Sequence, residues 1–426
     1  MTSSRRLLDD CFLHDRDRLR HDDALAILRD RVSATVGHET LDLAAAAGRI
    51  LADPVRAGQN VPLADNSAVD GYAFAQADHG RTGGRFPVSA RIPAGHPSPA
   101  SLAPGTAARI FTGAVMPAGA DTVAMQEDCD LDEDGHLVRI PPGLKPGANR
   151  RRAGEDLKAG DVLVAPGTRL RPQDIAAIAS TGTPRVNVFR PVRIALVSTG
   201  DEIRRPGDPL PDGGVYDSNH YLLSGLLAGF GVEIDDLGIL PDDAAQIRRT
   251  LERAAGEHDA VISTGGASRG EEDHLVEAID ALGTRHMWQL AIKPGRPMNF
   301  GQIGDCVTLG LPGNPVAAMI CCLLYVRPVL SVLGGGAFLA PRRFQVPAAF
   351  SVEKKKPDRR EFYRGILACD DAGRTIVRKF ARDGSGLITS LREADGLIEI
   401  AEETVRIEEG EPVDFISFAE FGIPAR

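Results

Sequence analysis

The sequence contains few aromatic residues and few cysteines. Phe, Trp and Tyr make up 5% of its 426 residues, and the six cysteines are scattered, with neither a CxxC pair nor a histidine spacing that suits zinc. This pattern argues against a disulfide framework and against a zinc site. It indicates structural thiols in a reducing compartment.

The sequence also lacks the pattern of a signal peptide and a long hydrophobic run. The first 23 residues are charged where a signal peptide would be apolar. The longest apolar run, residues 316–326, is too short to cross a bilayer. These features predict a cytoplasmic protein that does not associate with a membrane.

The chain lacks an excess of positive charge, since its formal net charge is −10. Nucleic-acid binding depends on clustered Lys and Arg that neutralise phosphates. The densest basic stretches, near Arg151 and Lys355, are short and interleaved with acids. They indicate solvated faces, and nucleic acid is not an expected partner.

Glycine and proline are abundant, with 46 and 29 residues, which predicts a folded protein with many turns and loops. From about residue 190, β-prone runs alternate with helical patterns, beginning with "VRIALVSTG" and "SNHYLLSGLLAGFG", whose expected caps are Asp217 and Ser218. Such alternation predicts right-handed βαβ crossovers and a parallel sheet covered on both faces. A run from Pro315 to Gly335 predicts a closing buried helix.

The regions before and after this unit have β character without a sustained helical period. The sequence therefore predicts an α/β multidomain protein. Its parts are a central parallel-sheet α/β domain at 190–337, an inserted β domain at 57–157 and a C-terminal β-barrel-like domain at 338–426. Residues 1–56 and 158–189 form an elongated N-terminal or linker domain, whose first helix is expected to pack on the α/β domain.

Five loops of unusual composition follow the predicted strands of the α/β domain, and ligands bind at this edge of a parallel sheet. The loops are "STGDEIRRPG", "LPDD", "STGGASRGEED", "IKPGRP" and "LGLPGNP". Taken singly, each is as well explained by a tight turn or a helix start. Five such loops on one rim favour a binding site.

The composition of these loops suggests how they bind. Gly265, Gly266 and Gly270 let backbone N–H groups face an anion. Carboxylates crowd the same rim and would repel a phosphate unless a hard cation such as Mg²⁺ joined them; they are Asp201, Glu202, Asp242, Glu271, Glu272 and Asp273. Lys293 and Arg296 would balance the remaining negative charge. His220 and His274 are interpreted as surface hydrogen-bonding groups.

The assembled motifs resemble the MoeA family, the molybdopterin molybdenumtransferases, which includes the E domain of gephyrin. The resemblance covers nearly the whole chain. Its motifs appear in family order: "DNSAVDGYAF", "RIFTGAVMPAGADTVAMQED", "RRRAGED", "VSTGDEI", "VYDSNHYLL", "ISTGGASRGEEDH", "AIKPGRP", "LGLPGNPVAAM" and "EFYRG".

The resemblance implies insertion of molybdate into adenylylated molybdopterin, with Mg²⁺-dependent release of AMP. It also implies a homodimer in which the inserted β domain of one subunit faces the α/β rim of the other. A molybdopterin adenylyltransferase and molybdoenzyme-maturation proteins are further candidate partners.

The site residues follow the same resemblance. It implies catalytic roles for Asp70, Thr112, Asp156, Glu202, Asp242, Asp273 and Lys293, and among these Glu202, Asp242 and Asp273 would hold the metal. Lys293, Arg364 and Ser385 would form the molybdate end. The cofactor-binding residues are expected to be Gly265, Gly266, Ser268, Gly270, Pro294, Arg296, Pro312, Gly313, Asn314, Arg364 and Ser385.

The sequence departs from the family pattern in a few places. Gln289 and Arg296 stand where lysine is common, Val69 replaces a frequent methionine and Ala267 a frequent valine. Two alternatives stay open: a molybdopterin adenylyltransferase with the same α/β unit, which would consume ATP, and a non-catalytic scaffold.

Overall fold

The computed structural model describes residues 18–96, 101–265 and 274–424. The N-terminal part begins with helix α1 (His21–Arg31) and the strands β1 (His38–Asp42) and β2 (Val55–Arg56). Ala24 and Leu28, four residues apart on one face of α1, are fully buried in the core of the α/β unit.

A separate six-stranded sheet follows β2 in the chain, with strand order β7-β4-β6-β5-β9-β8. The elements here are β3 (Asn66–Ser67), β4 (Gly71–Phe74), α2 (His79–Thr82), β5 (Arg85–Ile92), β6 (Ala107–Ile110), β7 (Thr122–Met125), β8 (Asp130–Leu131), β9 (Leu137–Arg139) and β10 (Arg150–Arg151).

The chain then returns to its N-terminal part. The returning elements are β11 (Val162–Val164), α3 (Pro172–Ser180) and β12 (Arg185–Phe189). Because β11 pairs with β2 and β12 pairs with β1, everything between them is an insertion. The exact domain boundaries drawn from the sequence stay predictions.

The central unit begins at β13 and supplies the rim on which the predicted site lies. Its elements are β13 (Arg193–Thr199), β14 (Ile203–Arg204), β15 (Val215–Tyr216), α4 (Ser218–Gly229), β16 (Glu233–Leu240), α5 (Ala244–Glu257), β17 (Ala260–Thr264), α6 (His274–Leu282), β18 (Thr284–Gln289), β19 (Ile292–Lys293), β20 (Pro297–Ile303), β21 (Cys306–Leu311), α7 (Pro315–Cys321) and α8 (Arg327–Leu333).

Six of these strands form one sheet in the order β16-β13-β17-β21-β20-β18. Along β13 the side chains alternate between two cores: Ile194 and Leu196 pack on one face, and Ala195 and Val197 pack on the other. The predicted sheet covered on both faces is thus confirmed. Asp217 caps α4 as predicted, since its carboxylate accepts a hydrogen bond from His220 N at 3.0 Å.

One strand of this sheet was not predicted. β20 runs antiparallel to both β18 and β21, so the sheet is not wholly parallel. The stretch "HMWQLAI" divides between β18 and β19, and β19 pairs in the C-terminal sheet. A proline at its start and an interior glycine weaken the strand signal of β20.

The buried helix predicted after β21 is present, and it extends beyond the longest apolar run, residues 316–326. It extends from Pro315 to Leu333, with a π-helical turn at Cys322–Val326 ahead of Pro328, which has no N–H to donate. Among the described residues it alone has the length and composition of a membrane span, and 89% of its most apolar window is buried inside the protein. Burial in the core accounts for its apolar composition.

The C-terminal sheet has the order β19-β23-β25-β26-β22, and β24 pairs with β23. Its elements are β22 (Phe344–Pro347), β23 (Arg360–Cys369), β24 (Thr375–Lys379), α9 (Ile388–Glu393), β25 (Gly396–Ile400) and β26 (Pro412–Ser417). Since β19 belongs to the central unit, the pair β19–β23 joins the two regions directly. The predicted α/β multidomain fold is confirmed.

Candidate functional site at the edge of the central sheet

The carboxyl ends of two neighbouring strands, β17 and β21, are joined by one side chain of α4. The amide Nδ2 of Asn219, in the first turn of α4, donates to Thr264 Oγ1 and to Gly313 O, each at 2.8 Å. Thr264 ends β17, and Gly313 lies in the loop after β21. The parallel strands therefore bring the predicted loops to one edge.

Gly265 takes a conformation that favours glycine. Its φ is +89°, and a Cβ there would lie 2.8 Å from Thr199 O. Gly265 therefore brings the loop backbone close to the end of β13. Gly266, Ser268, Gly270 and Asp273, which complete this predicted loop, lie outside the described residues.

Three of the predicted rim acids, Asp201, Glu202 and Asp242, are among the described residues, and they lie in two adjacent loops that are joined by reciprocal hydrogen bonds. Asp201 N donates to Asp242 Oδ2 at 3.3 Å, and Asp242 N donates to Asp201 Oδ1 at 3.1 Å. The carboxylate of Glu202 lies close to Gly200, since a Cβ added at Gly200 would collide with it. Within the described ranges, no group of three His, Cys, Asp or Glu side chains could hold a metal ion.

A cavity of about 340 Å³ lies where the central unit meets the C-terminal sheet. Its wall includes seven of the predicted site residues: Lys293, Pro294, Arg296, Pro312, Asn314, Arg364 and Ser385. The first three come from the end of β19 and the turn after it, the next two from the loop after β21, and the last two from β23 and the turn after β24. The structure therefore gathers residues that are far apart in sequence around one cavity.

The position of Lys293 is set by strand pairing. In the β19–β23 pair Lys293 lies opposite Glu361, and the Lys293 ammonium is 3.9 Å from Glu361 Oε2. Glu361 is 2% exposed and also contacts Arg359 Nη2 at 2.6 Å. Tyr363, on the cavity wall, donates its hydroxyl to Glu361 Oε2 at 2.8 Å.

Arg364 is 5% exposed and fixes the turn that carries Ser385. Its Nε donates to Ser390 Oγ at 3.0 Å, and its Nη2 donates to Arg382 O and Gly384 O at 3.2 Å. Ser385 O in turn accepts from Val316 N at the start of α7, at 3.1 Å. Burial lowers the pKa of Arg364 from its ordinary value, while the negative charge of Asp383 opposes this shift.

Asp70 and Thr112 form a pair on the inserted sheet. Both the backbone N and the hydroxyl of Thr112 donate to Asp70 Oδ1 at 2.7 Å. The hydroxyl and then the backbone bond hold the pKa of Asp70 below its usual range. Asp156 lies outside this pair: its side chain is exposed, and its backbone N donates to Val61 O at 3.0 Å.

The sequence did not single out four residues that shape the cavity or the rim. Asn219 ties two loops, and Asp383 lines the cavity next to Ser385. Glu361 pairs with Lys293 and accepts a hydrogen bond from Tyr363, which lies on the cavity wall. Glu361 and Tyr363 lie in the quoted motif "EFYRG", two residues apart and so on the same face of β23. That spacing was the available signal for their contact.

Family models match three consecutive parts of the chain. The MoeA N-terminal region (domains I and II) matches residues 19–182, a probable molybdopterin binding domain matches 195–332, and the MoeA C-terminal region (domain IV) matches 345–418. These matches follow the order of the inserted, central and C-terminal sheets.

Curated relatives and solved structures agree with the family models. A molybdopterin molybdenumtransferase of Haemophilus influenzae is 36% identical over 383 residues, covering 89% of this chain and 94% of that protein. Molybdopterin molybdenumtransferase 2 of Mycobacterium tuberculosis is 32% identical, covering 87% and 93%. A crystal structure of a molybdopterin biosynthesis MoeA protein from Pyrococcus horikoshii superposes with a TM-score of 0.80 at 28% identity, covering 94% and 100%. The chain therefore belongs to the MoeA family, the transferases of molybdenum cofactor biosynthesis.

Proposed function

We propose that this protein inserts molybdate into the dithiolene of adenylylated molybdopterin and releases AMP. The observation that carries the proposal is the cavity between the rim of the central sheet and the C-terminal sheet. Lys293, Arg296 and Arg364 line it, and Ser385 supplies a neutral donor beside them. Three cations and a hydroxyl suit a small oxyanion such as molybdate.

The nucleotide end of the substrate would lie along the adjacent rim. Gly265 brings backbone close to the end of β13, and the loop after β21 begins at the cavity with Pro312 and Asn314. A phosphate at this edge would face backbone N–H groups and helix N-termini. The phosphates and the oxyanion would then be bound side by side.

Mg²⁺ would be held by Glu202, Asp242 and Asp273. The described residues fit this role in chemical kind, because Glu202 and Asp242 supply hard carboxylate oxygens from two loops that are hydrogen-bonded to each other. Mg²⁺ commonly binds through one or two carboxylates together with substrate phosphates, so a full protein ligand set is not needed. When bound, the ion would neutralise charge on the phosphate oxygens.

The proposed assembly is a homodimer with shared sites. Asp70 and Thr112 bond to each other on the inserted sheet, and neither of these bonds reaches the rim of its own chain. Exposed apolar side chains lie in the same region: Leu63 is 68% exposed, Val115 39% and Met125 37%. Apolar groups around a polar pair suit a surface that a second subunit covers.

A cytoplasmic location and two kinds of protein partner belong to the same proposal. Cys306, Cys321 and Cys322 are unpaired buried thiols, and burial raises the pKa of Cys306 and of Cys322 to about 12. Inert reduced thiols suit a cytoplasmic enzyme. Its protein partners would be a molybdopterin adenylyltransferase and molybdoenzyme-maturation proteins.

The test is an assay of AMP release by the purified full chain. Adenylylated molybdopterin with Mg²⁺ should yield AMP in a manner that depends on added molybdate. An adenylyltransferase would instead consume ATP in the presence of molybdopterin, and a scaffold would do neither. ATP consumption without molybdate-dependent AMP release would overturn the proposal.

A further inference from the structure

Among the described residues, the wall of the cationic cavity contains one acidic side chain, that of Asp383. It shares the wall with Lys293, Arg296 and Arg364, and its side chain is 60% exposed. A carboxylate here would repel a bound oxyanion and would attract the cations that the oxyanion needs. An oxyanion site beside Asp383 therefore needs a second group that offsets the negative charge of this carboxylate.

Lys379 is that partner. Its ammonium lies 2.8 Å from Asp383 Oδ1, and its side chain is 22% exposed. The Lys379 ammonium also lies 5.0 Å from the centroid of the Tyr363 ring, within cation–π range. Lys379 ends β24, where it lies opposite Gly365 of β23. Strand pairing and the ring thus fix the ammonium beside Asp383.

The backbone around Asp383 is fixed as well. Arg364 Nη2 donates to the carbonyls on either side of it, Arg382 O and Gly384 O. The hydrogen bond from Lys379 lowers the pKa of Asp383, opposed by burial and helped by the charges of Lys379, Lys293 and Arg364. Asp383 is thus an anion on an anchored turn, within the electrostatic reach of two cavity cations.

We propose that Lys379 is a positioning residue that holds the Asp383 carboxylate to itself and so keeps Lys293 and Arg364 available to an oxyanion. This inference rests on the proposed function, because it assumes that the cavity binds an oxyanion. The proposal makes oxyanion binding depend on Lys379 and Asp383, and neither of them was among the predicted site residues. Lys379 acts through Asp383 and does not itself contact the ligand.

Removing Lys379, Asp383 or both should change the oxyanion affinity of the cavity in three different ways. Without Lys379, Asp383 is left to pair with the cavity cations, and oxyanion affinity falls. Without Asp383, its carboxylate no longer competes with the oxyanion for the cavity cations, and affinity stays level or rises. Without both residues, that competing carboxylate is likewise absent, and affinity returns close to that of the natural protein.

The experiment measures binding of molybdate alone to the full chain by equilibrium dialysis with labelled molybdate. Lys379→Met should weaken binding about tenfold, the scale expected when a nearby unpaired charge competes in a partly solvated site. Asp383→Asn should bind at least as tightly as the natural protein. The molybdate affinity of the double variant should lie within about threefold of that of the natural protein. This margin covers the usual error of additivity and a small residual charge effect.

Two further variants separate this effect from a structural one. Arg378→Met removes a charge from the opposite, exposed face of β24 and should leave binding unchanged. Lys379→Arg keeps the ion pair and should retain affinity. Thermal unfolding of each variant checks its fold, and Lys379→Gln replaces Lys379→Met if the latter does not fold.

The outcomes distinguish this inference from the proposed function. If the natural protein binds molybdate but removing Lys379 has no effect, or the double variant is as weak as the single one, the inference fails alone. Weaker binding by Asp383→Asn would also overturn it. If the natural protein binds neither molybdate nor tungstate, the proposed oxyanion site fails and the inference fails with it.

Discussion

At the scale of single residues, the site acids are controlled by one or two specific neighbours. Asp70 shows this, because its carboxylate is exposed and yet has a lowered pKa through two bonds from Thr112. The family motifs identified both residues although they are 42 positions apart. The motifs could not show that the two bond to each other, since that contact depends on the pairing of β4 with β6.

Thr112→Val should raise the pKa of Asp70 towards its ordinary value. The substitution removes the hydroxyl bond, which is the largest cause of the shift, and keeps the backbone bond. Carboxyl ¹³C chemical shifts across a pH titration give the measurement. Asp78, whose pKa is lowered chiefly by Arg81, is the internal reference and should not move. An unchanged pKa at Asp70 would show that the backbone bond alone is sufficient.

At the scale of elements, the loop after β18 is shaped by close packing. Gly295 has a φ of +109°, and a Cβ there would lie 2.8 Å from Cys321 Sγ and 2.9 Å from Ile292 Cδ1. Arg296 follows this glycine directly, and Lys293 lies two residues before it. The sequence predicted the loop and its cations from composition, but the contact with Cys321 depends on how α7 packs.

Gly295→Ala should reduce the free energy of unfolding by about 3 kcal/mol or more, because strain and overpacking add. Gly304→Ala is the matched control, since Gly304 also has a positive φ, +59°, but nothing lies within 4 Å of its Cβ position. It should cost about 1 kcal/mol. Urea unfolding measures both values. Equal losses would mean that the contact with Cys321 and Ile292 is relieved without cost.

Helix α1 is attached to the central core by a buried histidine. His21 is fully buried, and its Nδ1 lies 2.7 Å from Tyr325 Oη. Burial, the largest cause, lowers its pKa from 6.5 to about 4. The unfolded chain therefore binds a proton at His21 at a higher pH than the folded chain does. Stability is lost as the pH falls from about 6.5 towards 4.

His21→Gln should remove this component of the pH dependence while keeping a hydrogen-bonding partner for Tyr325. Between pH 7 and pH 5, the natural protein should lose about 2 kcal/mol more of its unfolding free energy than the variant does. Urea unfolding at the two pH values provides the comparison, and all other titrating groups are shared. Equal losses of unfolding free energy in the two proteins would show that the acid sensitivity arises from groups other than His21.

The elements themselves were predictable to different degrees. The helices of the central unit and the strands β13, β16, β17 and β21 follow from hydrophobic periodicity, because long alternating segments give a strong signal. β20 was missed because Pro297 and Gly301 weaken its pattern. β19 is a two-residue pair whose existence depends on the distant β23. The Lys293–Glu361 contact was therefore beyond the reach of local sequence patterns.

At the scale of the whole molecule, we propose a site that two subunits share. The cationic cavity lies between two regions of one chain, while the Asp70–Thr112 pair lies on a sheet inserted between β2 and β11. The resemblance to the family suggested this division, and the insertion gives it a physical basis. An inserted sheet can extend to a neighbouring subunit without disturbing the central core.

Complementation between two inactive variants tests the shared site. Asp70→Asn and Lys293→Ala should each abolish most activity, because each spoils both sites of its own homodimer. After the two are mixed by joint refolding, heterodimers carry one intact site, and about a quarter of natural activity should return. Light scattering should show dimers throughout. Fully active monomers, or no recovery in verified heterodimers, would contradict the shared site.

The central claim is that the cavity lined by Lys293, Arg364 and Ser385 is the molybdate end of a molybdenumtransferase site. It is tested most directly by titrating AMP release with molybdate in the natural protein and in Arg364→Ala, beside a direct assay of adenylylated molybdopterin binding. Loss of the guanidinium should raise the molybdate concentration needed at least about tenfold, equivalent to about 1.4 kcal/mol, with nucleotide affinity changed much less. Equal weakening of both, or of neither, would contradict the assignment of this cavity to molybdate.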